Sequence, residues 1–151
     1  EEVPLPDQNA VPAIPTEGWE TVLLVEDEQP VRALVREILQ KNGYSVLEAG
    51  HGKEALQVSD RYPDPIHLMV TDVVMPGMSG CELAERLASR RPDTKVLYLS
   101  GYTDNALLNH DMTDPTIAFL QKPFTTYALG RKVREVLDSP KAMAVGSAPS
   151  L

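Results

Sequence analysis

Five short apolar runs alternate with stretches of helical periodicity, and this alternation constrains the chain more than any other feature. Val22-Leu23-Leu24-Val25 is the first run, continuous as a strand buried on both faces requires. Val31, Leu34, Val35, Ile38 and Leu39 then recur at helical spacing as one apolar face, with Pro30 in the first turn and Lys41-Asn42-Gly43 as the stop. Tyr44 to Glu48 reads as the second strand, followed by a helix through Ala55, Leu56 and Ser59. Tyr62-Pro63-Asp64-Pro65 breaks the chain before a third strand, Ile66 to Thr71, which ends at Asp72. Ser79-Gly80-Cys81-Glu82 has capping-box spacing and opens a third helix with Leu83, Ala84, Leu87 and Ala88 as its buried face. Lys95 to Ser100 is the fourth strand. Thr103-Asp104 can cap a short helix from Asn105 to His110, and a polar loop from Asp111 to Thr116 leads to a fifth strand, Ile117 to Leu120. Leu129, Val133, Val136 and Leu137 mark a fifth helix. Strict alternation with short connections implies a parallel sheet, right-handed crossovers and helices on both faces.

The same pattern sets the expected boundaries. Residues 1–19 hold four prolines, several acids and no apolar period, the composition of a Pro-rich acidic linker. Residues 20–138 form the domain, and 139–151, dominated by Ser, Pro, Ala and Gly, form a flexible tail. A length of 151 residues suits one domain with tails and a real core. The chain opens on Glu1 rather than Met, as expected of a piece of a longer protein. A net charge of −8 argues against direct nucleic-acid binding and suits a protein that handles a cation or docks on a basic surface. No apolar run approaches the roughly 20 residues of a membrane span, so no membrane contact is expected of this fragment. One cysteine, Cys81, excludes an internal disulfide framework and fits a reducing, cytoplasmic setting.

In a parallel sheet the carboxyl ends of all strands share one rim, where open α/β folds keep their ligands. Four of the five runs deliver a polar or charged group there: Glu26 and Asp27, Asp72, Ser100, and Lys122. A lone aspartate before Pro76-Gly77 would read as the start of a turn. Four strands ending this way make a site. Carboxylates gathered in one pocket repel, by about 4 kcal/mol for a pair ~4 Å apart at an effective dielectric near 20. A divalent cation relieves that repulsion, and oxygen ligands without nearby His or Cys favour Mg²⁺ or Mn²⁺ over zinc. The competing reading is a structural salt-bridge cluster around Lys122.

With the segments Val22 to Glu28, Val70 to Gly77, Leu99 to Tyr102 and Phe119 to Phe124, the chain resembles the receiver domain of two-component response regulators. The resemblance covers about residues 20–138 and implies a flavodoxin-like (βα)5 doubly wound α/β sandwich, its five-stranded parallel sheet in the order 2-1-3-4-5. It implies that Asp72 is the phosphoacceptor and that Asp27 and Asp72 ligate Mg²⁺ (Mn²⁺ as a substitute). Glu26 would act through water, and the backbone carbonyl of Val74 would complete the protein ligands. Ser100 and Lys122 would hold the phosphoryl oxygens, with Phe119 as the switch aromatic and Gly101 leaving room beside the phosphoryl group. Lys122-Pro123 would be cis, a form that only an X-Pro bond adopts at low cost.

The function so implied is that of a phosphoacceptor in a two-component phosphorelay. Phosphoryl transfer from a phosphohistidine to Asp72 would shift a two-state equilibrium and reshape the face of the fourth helix, fifth strand and fifth helix. The partner would be a histidine kinase dimerisation and phosphoacceptor domain or a histidine phosphotransfer protein, with the first helix as docking face. The linker and the Glu20 to Glu28 segment suggest the C-terminal receiver of a hybrid sensor histidine kinase, whose full-length form can be membrane-attached. A stand-alone receiver or truncated regulator is the next reading. Such a domain promotes its own phosphorylation and dephosphorylation without being a turnover enzyme. Sequence leaves open whether the chain forms a homodimer.

Other classes fit less well. A small aspartyl-phosphate phosphatase commonly places a second acid two residues after its nucleophile, where this chain has Val74. A receiver that binds partners without phosphorylation would not need Asp27, Asp72, Ser100 and Lys122 together. Phe119 stands where many family members carry tyrosine, so no hydroxyl is available there. Val74 and Tyr102, two positions beyond Asp72 and Ser100, should hinder water and slow self-dephosphorylation. Ala49-Gly50-His51-Gly52-Lys53 lacks the spacing of a nucleotide-binding phosphate loop. His51, His67 and His110 are too scattered for a metal triad, and Met75, Met78 and Cys81 read as packing residues.

Overall fold

A computed structural model describes residues 17–101 and 118–139. Tyr102, the expected helix at 105–110 with its caps, the loop after it, His110, Ile117, most of the expected linker and nearly all of the tail lie outside these residues. Five strands are present: β1 (Thr21–Val25), β2 (Ser45–Ala49), β3 (Leu68–Asp72), β4 (Lys95–Ser100) and β5 (Ala118–Gln121). The described helices are α1 (Gln29–Lys41), α2 (Gly52–Arg61), α3 (Gly80–Arg90) and α4 (Thr126–Asp138). Every strand pairing is parallel, and the order is β2-β1-β3-β4-β5, the flavodoxin-like arrangement.

Alternation along the central strands divides the core into two layers. Val22 and Leu24 of β1, with Leu68 and Val70 of β3 and Leu97 and Leu99 of β4, pack against Val35, Ile38 and Leu39 of α1 and Leu129 and Val133 of α4. Leu23 and Val25, with Met69, face the other way onto Ala55 and Leu56 of α2 and Leu83 and Leu87 of α3. Both faces of β1 and β3 are therefore covered, which explains why those strands read as continuous apolar runs rather than alternating ones.

The helix ends follow local chemistry. Pro30 occupies the first turn of α1, and Gly43, at φ +100°, takes the left-handed position just beyond its end. A side chain on Gly43 would also strike the Gly18 carbonyl oxygen, 2.3 Å from where its Cβ would stand. His51 caps α2, its Nδ1 accepting from the Glu54 amide at 3.2 Å. Ser79 caps α3 in the same way, its hydroxyl oxygen accepting from the Glu82 amide. The Glu82 carboxylate pairs with Arg86 at 2.8 Å. Thr125 caps α4. No described helix is long and apolar enough to cross a membrane.

Three expectations are corrected. Leu34 is 54% exposed, because it lies at the edge of the apolar stripe of α1. Ala88 is exposed on α3, where Leu83 and Leu87 alone are buried among the four residues expected there apart from half-buried Ala84. β3 begins at Leu68; Ile66 is buried ahead of it, and His67 uses its ring Nδ1 to accept from the Thr21 amide at 3.0 Å.

Candidate functional site

The carboxyl ends of β1, β3, β4 and β5 meet at one rim. β1 ends at Val25, and Glu26 follows, wholly buried, its amide donating to the Ala49 carbonyl oxygen at 3.1 Å. Its carboxylate curls back so that Oε2 accepts from the Glu28 amide at 3.0 Å. Asp27 between them is exposed. β3 ends in Asp72, 4% exposed, and the next residue ties back to β4 through the Val73 amide and the Leu99 carbonyl oxygen. Gly80, at the start of α3, packs so close that a Cβ would stand 2.0 Å from the Asp72 carbonyl oxygen, and its amide donates to Val73. Only glycine permits that approach. β4 ends in buried Ser100, whose carbonyl oxygen accepts from the Lys122 amide at 2.8 Å and so brings Lys122 to the same rim. The Lys122-Pro123 peptide bond is cis.

Glu26, Asp27 and Asp72 each offer a carboxylate oxygen within 4.8 Å of the others. Lys122 Nζ stands 2.8 Å from Asp72 Oδ1 and 3.2 Å from Glu26 Oε1. Two of the three carboxylates thus pair with one ammonium. The contact with Asp72 is a close, charged one, and the buried Ser100 hydroxyl has no hydrogen-bond partner among the described residues. Burial, and then the adjoining Glu26 carboxylate, push the Asp72 carboxyl up to about 8 against the opposing pull of Lys122. Glu26 is also penalised by burial, but its contact with Asp72, the Glu28 amide and Lys122 outweigh that and hold it below its ordinary value. The Lys122 ammonium loses by burial and gains more from Asp72 and Glu26, so it stays charged.

These features fit a hard divalent cation. The cluster gathers three carboxylates against one ammonium, and its donors are all oxygens. A helix-capping role occupies His51, and no histidine joins the cluster among the described residues.

Of the residues singled out from sequence, Glu26, Asp27, Asp72 and Lys122 come together, and Ser100 sits at the neighbouring strand end. Val74 is 48% exposed in the turn after β3. Phe119 lies on β5 opposite Tyr98 and is 42% exposed. One contributor was missed. Arg32 Nη1 donates to the Glu26 carbonyl oxygen at 2.7 Å, while its Nε stands 3.4 Å from Glu48 Oε1. The available signal was a cation near the amino end of a helix, which the helix dipole disfavours.

The sequence matches the response regulator receiver domain family over residues 22–134. It is 40% identical over 121 residues to the sensor kinase CckA of Brucella abortus (strain 2308), an alignment covering 80% of this chain and 13% of that protein. The response regulator receiver protein CpdR of the same organism is 35% identical, with 77% of this chain and 95% of that protein covered. Among solved structures, the receiver domain from the hybrid histidine kinase CckA superposes with a TM-score of 0.66 at 30% identity, covering 78% of this chain and 99% of that one. A five-stranded sheet in this order, an acidic rim closed by a lysine, and a family match across both place the chain in the response regulator receiver domain family of two-component signalling.

Proposed function

We propose that this domain accepts a phosphoryl group on Asp72 from a phosphohistidine, with a divalent cation bound at the acidic rim. The observation that carries the reading is the convergence of Glu26, Asp27 and Asp72 on Lys122 at the carboxyl ends of the strands. Asp27, Asp72 and the Val74 carbonyl would hold Mg²⁺, with Glu26 acting through water. Bound there, the cation supplies positive charge to the phosphoryl oxygens and keeps Asp72 ionised.

Asp72 is the nucleophile. A carboxylate oxygen attacks phosphorus, the bond from phosphorus to the donor imidazole nitrogen breaks, and the electron pair leaves with the imidazole, which takes up a proton. No general base is required, since the attacking group is already an anion. Lys122 neutralises charge on the transferring group, and Ser100, whose hydroxyl has no hydrogen-bond partner in this arrangement, is free to donate to a phosphoryl oxygen. Such a contact would draw Ser100 toward Asp72 and let the Phe119 ring, now 42% exposed, turn inward, altering the face made by β5 and α4. The partner is a histidine kinase dimerisation domain or a histidine phosphotransfer protein, with α1 as the docking face.

The likeness to CckA, of which this chain spans about an eighth of the length, supports a place within a hybrid sensor kinase. The near-complete coverage of CpdR supports the second reading, a stand-alone receiver. Both readings require the same chemistry at Asp72. Incubation with a small acyl phosphate and Mg²⁺ should label the chain at Asp72. Asp72→Asn should remain folded and take no label, and chelation should abolish labelling of the unaltered chain. Full labelling of the variant would defeat the assignment.

A further inference from the structure

We propose that Arg32 is a positioning residue for the acidic turn Glu26-Asp27-Glu28 and thereby sets the affinity of the rim for divalent cations. The inference rests on the reading of that rim as a cation site. Its own basis is the fate of one carbonyl group. Glu26 is wholly buried, and each of its polar groups has a separate partner. Its amide goes to Ala49, its Oε2 to the Glu28 amide and its Oε1 to Lys122. Its carbonyl oxygen accepts from Arg32 Nη1 at 2.7 Å.

That carbonyl belongs to the peptide plane leading into Asp27, so its orientation sets the direction in which Asp27 leaves the strand. α1 does not take it over, because the helix begins bonding with the Arg32 amide on the Glu28 carbonyl oxygen. A guanidinium suits the task. Its planar fork can serve the Glu26 carbonyl and lean on Glu48 of β2 at once. Glu48 is held in turn by Arg36 at 3.0 Å. Gly50 leaves the space, since a Cβ there would stand 3.3 Å from Arg32 Nη1. The result is a strut running from α1 and the edge strand to the one peptide plane shared by two of the three acids.

Groups that orient metal ligands from behind change affinity by about 10–100-fold when removed. Titration calorimetry with Mg²⁺ on the full chain, together with amide hydrogen exchange in chelator, tests the proposal. Arg32→Ala should bind Mg²⁺ roughly tenfold more weakly. In chelator its Glu28 amide should exchange faster, while the amides of β3 keep their original rates. Arg32→Lys retains the charge but has no planar fork, and should stay weaker than the unaltered chain. Mg²⁺ affinity in Arg32→Ala equal to that of the unaltered chain overturns the positioning role. Full recovery in Arg32→Lys also overturns it, because charge alone would then suffice. An unaltered chain that takes up no Mg²⁺, or an Asp27→Asn variant that binds it equally well, sinks the cation site instead; faster Glu28 exchange in Arg32→Ala would still establish the strut.

Discussion

At Asp72 a residue suited to chemistry is poorly suited to stability. Its carboxyl group is buried beside the Glu26 carboxylate, and burial raises its affinity for a proton. In chelator, Asp72→Asn should therefore be more stable than the unaltered chain, by roughly 1–2 kcal/mol. That corresponds to about 4–8 °C in a thermal melt. Added Mg²⁺ should raise the melting temperature of the unaltered chain and leave the variant nearly unchanged, because stabilisation by a ligand follows its affinity for the folded state. A variant less stable in chelator would show that the charge is well accommodated. Asp72 and Lys122 were legible because each closes an apolar run, and a strand end is visible in sequence. Arg32 was not legible as a strut, since its acceptor is a backbone carbonyl, and a carbonyl leaves no mark on residue identity.

Among the elements, α4 is tied to the segment that enters β1. Arg134 donates to Glu20 Oε2 at 2.7 Å and Oε1 at 3.1 Å, to Asp138 Oδ1 at 2.8 Å, to the Tyr44 hydroxyl and to the Glu17 carbonyl oxygen. Burial alone would raise the Glu20 carboxyl, but the Arg134 fork and the backbone amides of Glu20 and Trp19 hold it below its ordinary value of 4.5. A depressed folded-state value means that the stability is present above pH 4.5 and is lost as pH falls through the depressed value. Glu20→Gln should cost about 1 kcal/mol at neutral pH after screening by solvent is allowed for. Its melting temperature should converge on that of the unaltered chain in acid, as a pH series of thermal melts would reveal; a constant offset down to pH 3 would contradict it. Sequence periodicity found α1, α2, α3 and α4 but not this tie, because Glu20 and Arg134 are far apart in the chain and neither disturbs a local pattern. The cap at His51 was hidden for a different reason: histidine seldom does the work of serine or aspartate at that position.

Over the whole molecule, the sheet separates two large cores that share no helix among the described residues. Leu39 of α1 is buried on one side and Leu87 of α3 on the other. Each substitution to alanine should cost about 2–5 kcal/mol by denaturant unfolding. The double variant should lose their sum to within about 0.5 kcal/mol, because the sites share no packing partners. A larger discrepancy would mean that the sheet transmits strain between its faces. The sequence by itself determined the alternation of strands and helices, the acids and lysine at the strand ends, and hence the likeness to receivers, because burial and strand termination are written in local residue order. Only the tertiary structure decided that Lys122 stands 2.8 Å from Asp72, that Leu34 remains outside the core, and that Arg32 reaches the Glu26 carbonyl. Those facts depend on how crossovers and strand register bring distant segments together, and the energies that settle such placements belong to pairs of residues rather than to any stretch of chain.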